Sequence, residues 1–364
     1  MFLRKLRLAM RWRYELYFSE YIDLFGSISY FVKYLVDFYK LRNQKVVYVY
    51  ANKRNIGDYI SHLGVKHIVD IKGASIICSP VGQFWYTRQL RYLRQHNPSC
   101  HLVIGGGGLF QGVFENFWQE LTHSELSFSI VGVGVNVLEG RRELSNELFK
   151  KVVDTATIIA VRDGLTAGYV KSHTHTSKPI LVHCCPSLNY LTHLLLKKEE
   201  QVKYLLHMVH PSDIRLSGID IHELREIVKQ VALSKNLVYK EFTNMDKEHR
   251  KGVQLVHDAA CVVTTRLHGA IMSYAFGVTA ACIVCDKKME GFLATHLAVK
   301  GISSKEITNG NGFNILKSEL SQAEQQQRKV TESQLLKNDQ LGNVIQQHLL
   351  SCGEGNQALY VNHQ

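Results

Sequence analysis

The chain has 364 residues, 45% of them hydrophobic, with 43 Lys and Arg against 32 Asp and Glu and a formal net charge of +11. The hydrophobic fraction excludes a disordered chain, and the length predicts two domains, each with its own core. The basic surplus indicates an anionic partner but leaves open whether this is a phosphate or carboxylate ligand, nucleic acid or a membrane surface.

The first segment, residues 1–44, is predicted to be a basic amphipathic helix. Basic residues cluster between Arg4 and Arg13 with no acidic residue among them, and aromatic side chains follow at helical spacing. No apolar core of a signal peptide is present, so secretion is not expected. The segment suits contact with the inner face of an anionic membrane, and it suits equally a helix that packs its aromatic stripe on a domain.

From Lys45 onwards, short apolar runs alternate with segments long enough for helices, which predicts parallel sheets covered on both faces. The first series of predicted strands is 46–50, 75–78, 102–104, 129–132, 157–161 and 180–183. The second series is 204–209, 236–239, 261–264 and 280–284. We therefore expect an N-terminal domain over 45–190, a C-terminal domain over 191–312, and closing helices with a loose tail over 313–364.

The eight cysteines are spread along the chain, several inside apolar runs, as expected for buried thiols of a cytoplasmic protein. One CxxC, Cys282 to Cys285, lies in a predicted strand without a second CxxC or a matched histidine pair, so no metal site is expected. The apolar stretch 261–285 contains Arg266 and His268, which favours a buried helix and strand over a membrane span.

Ligands of open parallel sheets bind beyond the carboxyl ends of the strands, and two motifs follow such ends in the first series. In Asn55-Ile-Gly-Asp58, Asp58 suits a helix cap or, with Asn55, a ligand contact. The glycine run 105–108, centred on Gly106 and Gly107, lets main-chain N–H groups approach an anion at a helix start, or forms a tight turn. It fits neither the dinucleotide fingerprint nor the P-loop, so no cofactor is expected.

Three further motifs place cations at strand ends. Arg162 suits either a carboxylate or phosphate ligand or a structural salt bridge. Arg266 and His268 lie in an otherwise apolar stretch, which is costly unless both find partners, so a fixed cation beside a proton-transferring group is favoured over a structural pair. Lys288 follows the last predicted strand and suits either an anionic ligand or a solvated charge cluster.

Taken in order, these motifs resemble those of the polysaccharide pyruvyl transferase family. The resemblance covers about residues 46–295 and rests on the segments 55–58, 105–108, 132–134, 161–163, 265–268 and 286–292. One departure is Cys185 before Pro186, where family members often carry Asp, and we assign no role to this loop.

The resemblance implies an α/β fold of two facing Rossmann-like domains, like the glycosyltransferase-B architecture, here with N-terminal and C-terminal helices. It implies transfer of a pyruvyl group from phosphoenolpyruvate to a sugar of a cell-surface polysaccharide or its precursor, forming a ketal, with His268 as general acid. No metal is needed, because arginines balance the charge of the donor. The residues expected to bind substrate are Arg162, Arg266, Lys288, Asn55, Asp58, Gly106 and Gly107.

Two other functions remain open. One is a glycosyltransferase of the same architecture that uses a nucleotide sugar, with Arg266 on its diphosphate. The other is a non-catalytic, membrane-associated assembly protein that binds lipid through its basic start. A small anionic donor accounts for the basic residues in the cleft between the two facing domains, so no nucleic acid partner is expected. A lipid-linked acceptor and a free saccharide acceptor both stay open.

Overall fold

The computed structural model describes residues 38–135, 142–197, 203–209, 217–243, 249–294, 301–325 and 335–348. These residues form two parallel sheets, one after the other along the chain, each packed between helices. The strands of the first sheet are β1 (Val46–Tyr50), β2 (Ala74–Ile77), β3 (His101–Gly105), β4 (Phe128–Val133), β5 (Ile159–Val161) and β6 (Leu181–Val182).

The first sheet has the strand order β2-β1-β3-β4-β5-β6. Strands β1, β3 and β4 are buried along their whole length, which explains their nearly continuous apolar sequences. Helices α2 to α5 cover one face of this sheet and α1 covers the other. The helices that follow its strands are α1 (Ile56–Val69), α2 (Gln83–His96), α3 (Glu115–Ser124), α4 (Asn146–Thr155), α5 (Gly164–Thr174) and α6 (Ser187–Thr192).

The second sheet contains β7 (Tyr204–Met208), β8 (Val238–Phe242), β9 (Cys261–Thr264), β10 (Thr279–Val284) and β11 (Ile302–Ser303). Its order is β11-β10-β9-β7-β8. Its helices are α7 (Ile221–Ser234), α8 (His249–Asp258), α9 (Leu267–Phe276), α10 (Lys287–Phe292), α11 (Ser304–Thr308) and α12 (Gly312–Gln325). Helices α7 and α12 pack on one face, and α8 and α9 pack on the other.

The two sheets share one feature of connectivity. The chain leaves β1 to one side to form β2 and then crosses to the other side to form β3, and it repeats this pattern with β7, β8 and β9. Such a reversal opens a crevice at the carboxyl ends of the two strands that flank it. Ile56 and Ile60 of α1 pack in the core of the second sheet with Met208 and Phe242, so α1 joins the two sheets at their crevices.

A last helix, α13 (335–348), returns to the first sheet. Leu341 and Ile345 are buried against its α1 face, and the side chain of Gln346 donates to the carbonyl of Val69 at 2.8 Å. Val344, which the apolar pattern assigns to the same stripe, is instead 48% exposed. Its side chain points away because only a narrow face of α13 meets the sheet.

The strand predictions were accurate to within two residues at most ends, and two differences have clear causes. The strand predicted at 236–239 begins at Val238, because Asn236 adopts a left-handed conformation with φ 53° and Leu237 donates back to the end of α7. The two-residue strand β11 was not predicted, since so short a segment carries no periodic pattern.

Most of the predicted basic segment 1–44 lies outside the described residues. Within the part of the chain that the structure describes, no helix is both long and apolar enough to span a membrane. The stretch 261–285 forms β9, α9 and β10, a strand, a helix and a strand, all of which pack in the second sheet. The domain limits near residues 190 and 312 stay predictions.

Candidate functional site

The predicted site residues lie where the two crevices meet. Asn55 and Asp58 follow β1, and the glycine run follows β3, so both flank the reversal of the first sheet. Arg266 and His268 follow β9, which flanks the reversal of the second sheet. The close approach of α1 and α9 therefore brings residues more than 200 positions apart into one site.

The start of α1 is shaped by Asn55 rather than by Asp58. The side-chain oxygen of Asn55 accepts from the main-chain N–H of Gly57 at 3.0 Å and so caps the helix. Asp58 lies in the first turn of α1 and is half-buried. Of the two roles that the sequence left open for Asp58, the helix cap is therefore excluded, and the ligand contact stays a prediction.

Gly106 and Gly107 pack directly against α1. Both have positive φ, 81° and 80°, and a Cβ on Gly107 would lie 2.4 Å from Oδ1 of Asp58. A Cβ on Gly106 would lie 2.7 Å from that of Ser61. The sequence left open a helix start or a tight turn for this run. The run does not begin a helix, because α3 starts only at Glu115. These glycines instead allow the β3 loop to approach the site.

Arg162 is 4% exposed at the end of β5. Its Nε donates to Oδ2 of Asp163 at 3.2 Å, while Oδ1 of Asp163 accepts from the N–H of Thr166 and caps α5. A Cβ on Gly134 would lie 2.1 Å from Nε of Arg162, so only glycine leaves room for this guanidinium. Its buried Nη2 atom has no hydrogen-bond partner among the described residues and can donate to a ligand.

His268 crosses from the second sheet to the first. It lies in the first turn of α9, behind Arg266 at the N-cap, and is 8% exposed. A Cβ on Gly57 would lie 2.0 Å from Nδ1 of His268, and Nε2 of His268 lies 3.2 Å from Oγ of Ser61. The imidazole thus rests on the first turn of α1, and both of its nitrogens face that helix.

Lys288 reaches the same site from α10. Its Nζ lies 3.1 Å from Oδ2 of Asp286, whose other oxygen accepts from the N–H of Met289 and caps α10. The ammonium is therefore held at the carboxyl end of β10. We refer to Arg162, Arg266 and Lys288 as the cation cluster, since all three act electrostatically on both Asp58 and His268.

The two titratable groups beside the cation cluster have shifted pKa values. Burial raises the pKa of Asp58 to about 6, although the cation cluster opposes this rise. Burial lowers the pKa of His268 well below its usual range, and the cation cluster lowers it further. At pH 7 the free site therefore combines a neutral imidazole with the cation cluster, the Asp58 carboxylate and the two acidic partners of the cations, Asp163 and Asp286.

Three residues of the site, Ser61, Cys185 and Ser187, were not predicted from the sequence. Oγ of Ser61 lies 2.7 Å from Oγ of Ser187, which also accepts from Sγ of Cys185 at 3.4 Å. Ser61 follows Gly57 and Asp58 by four and three residues, and this helical spacing places all three on one face of α1. That spacing is the signal that could have found Ser61. Nothing local in the loop 185–187 indicates its proximity.

A cavity of about 530 Å³ opens beside the glycine run, within the size range of small-molecule sites. Its lining is polar and apolar in about equal parts and is formed by Gln111, Gly112, Val113, Glu115, Asn116 and Arg142. Nε2 of Gln111 donates to the carbonyl of Gly108 at 2.7 Å and so connects the cavity wall to the glycine run.

Replacing Gly57 with alanine tests the packing of His268 on α1. The new Cβ would overlap the imidazole, so we expect a loss of about 1–3 kcal/mol in the free energy of unfolding. Gly168→Ala is the matched control, since Gly168 is also helical but has nothing within 4 Å, and it should gain up to about 1 kcal/mol. Urea unfolding measures both, and equal effects would contradict the observed packing.

Comparison with known proteins gives one family and several distant structural neighbours. The family model "Polysaccharide pyruvyl transferase" matches residues 13–287. UDP-GlcNAc 2-epimerase from Neisseria meningitidis has a TM-score of 0.51 at 13% identity, over 84% of this chain and 99% of that chain. An uncharacterised protein from Klebsiella pneumoniae has a TM-score of 0.44 at 16% identity, over 74% and 95%. No curated protein sequence matches the chain. The predicted α/β fold with two facing Rossmann-like halves is confirmed.

Proposed function

Because the chain belongs to the polysaccharide pyruvyl transferase family, we propose that it transfers a pyruvyl group from phosphoenolpyruvate to a saccharide and forms a pyruvate ketal. The saccharide belongs to a cell-surface polysaccharide or its precursor. The observation that carries this proposal is the cation cluster around one buried histidine, with residues supplied by both sheets. Phosphoenolpyruvate carries a carboxylate and a phosphate, and both are groups that the cations of this site can bind.

The donor binds through the cation cluster. Arg162 approaches from the first sheet with a buried, unpartnered Nη2, and a guanidinium can hold a carboxylate or phosphate by two parallel hydrogen bonds. Arg266 and Lys288 approach from the second sheet. Binding therefore uses both halves of the fold, and it places negative charge beside the cations that surround His268.

The negative charge of the bound donor prepares His268 for acid catalysis. In the free site its imidazole is neutral, because burial and the neighbouring cations lower its pKa. A bound carboxylate and phosphate reverse the electrostatic part of this effect, so the pKa of His268 rises and the imidazole takes up a proton. His268 thus becomes an acid only when the donor is in place.

The transfer then proceeds in two additions. His268 gives its proton to C3 of phosphoenolpyruvate, and the electron pair of the double bond forms the new C–H bond and leaves C2 electrophilic. One sugar hydroxyl bonds to C2 and returns a proton to His268. The bond between C2 and the phosphate oxygen then breaks, and the phosphate leaves with its electron pair. A second hydroxyl bonds to C2 and closes the ketal, and its proton leaves with the phosphate.

Asp58 and the neighbouring cavity support the acceptor side of the proposal. A carboxyl with a pKa of about 6 is ionised near neutral pH, and it can accept a hydrogen bond that orients a sugar hydroxyl. Asp58 contacts the glycine run, whose continuation forms the cavity. Asn55 holds the turn that presents Asp58. A lipid-linked acceptor and contact of the basic segment 1–44 with the cytoplasmic face of the membrane belong to the same proposal.

Asp58→Asn should stabilise the protein in a manner that depends on pH. The raised pKa means that the folded state holds the Asp58 proton more tightly than the unfolded state, so wild-type stability falls between about pH 4 and pH 6 and stays lower above. Asparagine resembles the protonated carboxyl and removes this loss. Because the carboxylate is partly exposed, we expect a gain of about 1–2 kcal/mol at pH 8 and little at pH 4.

Urea unfolding from pH 4 to pH 8 checks this expectation. Asp220→Asn is the control of opposite sign, because hydrogen bonds from the N–H groups of Glu223 and His222 lower the pKa of Asp220. That variant should be less stable than wild type by the same amount from pH 4 to pH 8, because the lowered pKa places the titration of Asp220 below this range. A gain for Asp58→Asn that is the same at every pH would contradict the raised pKa.

The proposed reaction is separated from its runner-up by the donor. Incubation with phosphoenolpyruvate and saccharides that carry two neighbouring hydroxyls should release inorganic phosphate only when both are present. Release of nucleotide from a nucleotide sugar, with no phosphate from phosphoenolpyruvate, would favour a glycosyltransferase instead.

A further inference from the structure

We infer that Ser61, which is hydrogen-bonded to Ser187, is a positioning residue. Its hydroxyl accepts a hydrogen bond from Nε2–H of His268, so Nδ1 is the nitrogen that transfers a proton. This inference rests on the proposed function of His268 as the acid. It adds the identity of the reacting nitrogen and two residues that orient it.

The geometry of this group is closed and buried. Oγ of Ser61 lies 3.2 Å from Nε2 of His268 and 2.7 Å from Oγ of Ser187, and both serine side chains are fully buried. Sγ of Cys185 donates to Oγ of Ser187 at 3.4 Å. The group connects α9, α1 and α6. It ends in the protein interior, so it can orient the imidazole but cannot carry protons to solvent.

Counting protons fixes the direction of these hydrogen bonds in the acid form. A protonated imidazole carries N–H on both nitrogens and can only donate. Among the described residues, Oγ of Ser61 is the hydrogen-bond partner of Nε2. Ser61 must therefore accept from Nε2 and direct its own proton to Ser187. A serine that donated to Nε2 would have to rotate before His268 could become an acid.

Since Ser61 holds Nε2, Nδ1 is the nitrogen left to transfer a proton. It lies at the first turn of α1, beside Gly57, the residue that precedes Asp58. In the proposed step the Nδ1–H bond breaks as the C3–H bond of the donor forms, and the Nε2–H bond to Ser61 stays intact. The neutral imidazole that remains is then the Nε2–H form, which Ser61 already stabilises.

If Ser61 served only to hold α6 against α1, its replacement would disturb that packing. The packing of α6 on α1 is maintained by the close approach of Gly64 to Pro186, where a Cβ would lie 1.9 Å from the Pro186 carbonyl oxygen. Removing one hydroxyl leaves that contact unchanged. We therefore expect Ser61→Ala to fold and to alter His268 alone.

The test is the ¹⁵N NMR spectrum of the imidazole nitrogens in the full chain, with His268→Gln to assign the signals. The wild-type protein should show His268 protonated on Nε2, and Ser61→Ala should shift the population towards Nδ1–H. With phosphoenolpyruvate, Ser61→Ala should lower kcat by roughly 10- to 100-fold, the value of one hydrogen bond to a charged group, and leave the KM for the donor unchanged. Ser187→Ala should shift the tautomer population and lower kcat in the same direction, but by a smaller amount than Ser61→Ala.

Ser273→Ala is the matched control, because Ser273 is also buried on α9 but donates to the carbonyl of Gly269 at 2.8 Å. It should change neither the spectrum nor kcat. An Nδ1–H form in the wild-type protein, or a Ser61→Ala variant with unchanged tautomer and kcat, would overturn the inference. Failure of the proposed function looks different: the wild-type protein would then show no turnover with phosphoenolpyruvate, or His268→Gln would retain that turnover, whatever the spectrum shows.

Discussion

Replacing His268 with alanine is expected to abolish pyruvyl transfer while phosphoenolpyruvate still binds. A positioned general acid typically contributes 10²–10⁴-fold, so kcat should fall by at least about 100-fold. The cation cluster stays in place, and loss of the imidazole removes no group that the donor needs for binding. Phosphate release measures the first effect, and titration calorimetry with phosphoenolpyruvate measures the second.

His123→Ala provides the control for this experiment. His123 is exposed in the last turn of α3, which starts beyond the carboxyl end of β3 and so ends at the opposite edge of the sheet, and its replacement should leave both turnover and binding unchanged. If His268→Ala kept wild-type turnover, His268 would have no part in the reaction. If it lost donor binding as well, the imidazole would be a ligand of the donor rather than its acid.

Replacing Arg162 with alanine should have the largest effect on donor binding. Truncating one partner of a buried, hydrogen-bonded charge pair costs about 2–5 kcal/mol, which corresponds to roughly 30- to several-thousand-fold in Kd. Asp163 keeps its helix-capping bond to Thr166, so the fold should tolerate the change. Arg162→Lys should recover only part of the loss, because lysine keeps the charge but not the planar fork of donors.

A second measurement on the same variant tests the electrostatics. Arg162 is one of the groups that lower the pKa of His268, so Arg162→Ala should move that pKa up towards its usual range, as followed by NMR titration. Arg94→Ala is the control, because Arg94 forms an exposed ion pair with Glu125 on the outer helices. It should change neither quantity. An unchanged donor Kd for Arg162→Ala would remove this arginine from the site.

Much of the fold and of the cation cluster could be predicted from sequence because buried parallel strands carry a local signal. The strand Cys261–Thr264 was predicted at its observed limits, and the motif that follows it lies at the crevice as expected. Strand ends of one parallel sheet meet at one edge, so Arg266 and Lys288 could be grouped without knowing any distance. That Arg162 of the other sheet joins them was implied by the resemblance. The resemblance to one family then supplied the chemistry.

What could not be predicted depends on contacts between distant segments. Ser61 and Ser187 meet only because α6 packs on α1, and no local pattern encodes that contact. For the glycine run the sequence left open a helix start or a tight turn, but its glycines are required by the approach of Asp58 and Ser61 from another element. Asn55 rather than Asp58 caps α1, because Asn55 is the residue with extended backbone that directly precedes the helix.

The central claim is that one site joins the pyruvyl group of phosphoenolpyruvate to two hydroxyls of a saccharide. The most direct measurement is mass spectrometry of the acceptor after incubation with the protein and phosphoenolpyruvate. The product should gain the mass of pyruvic acid less one water, with one phosphate released per product, and neither should appear with His268→Ala. An acceptor of unchanged mass across saccharides that carry paired hydroxyls, or a product that gains a sugar from a nucleotide donor, would contradict the claim.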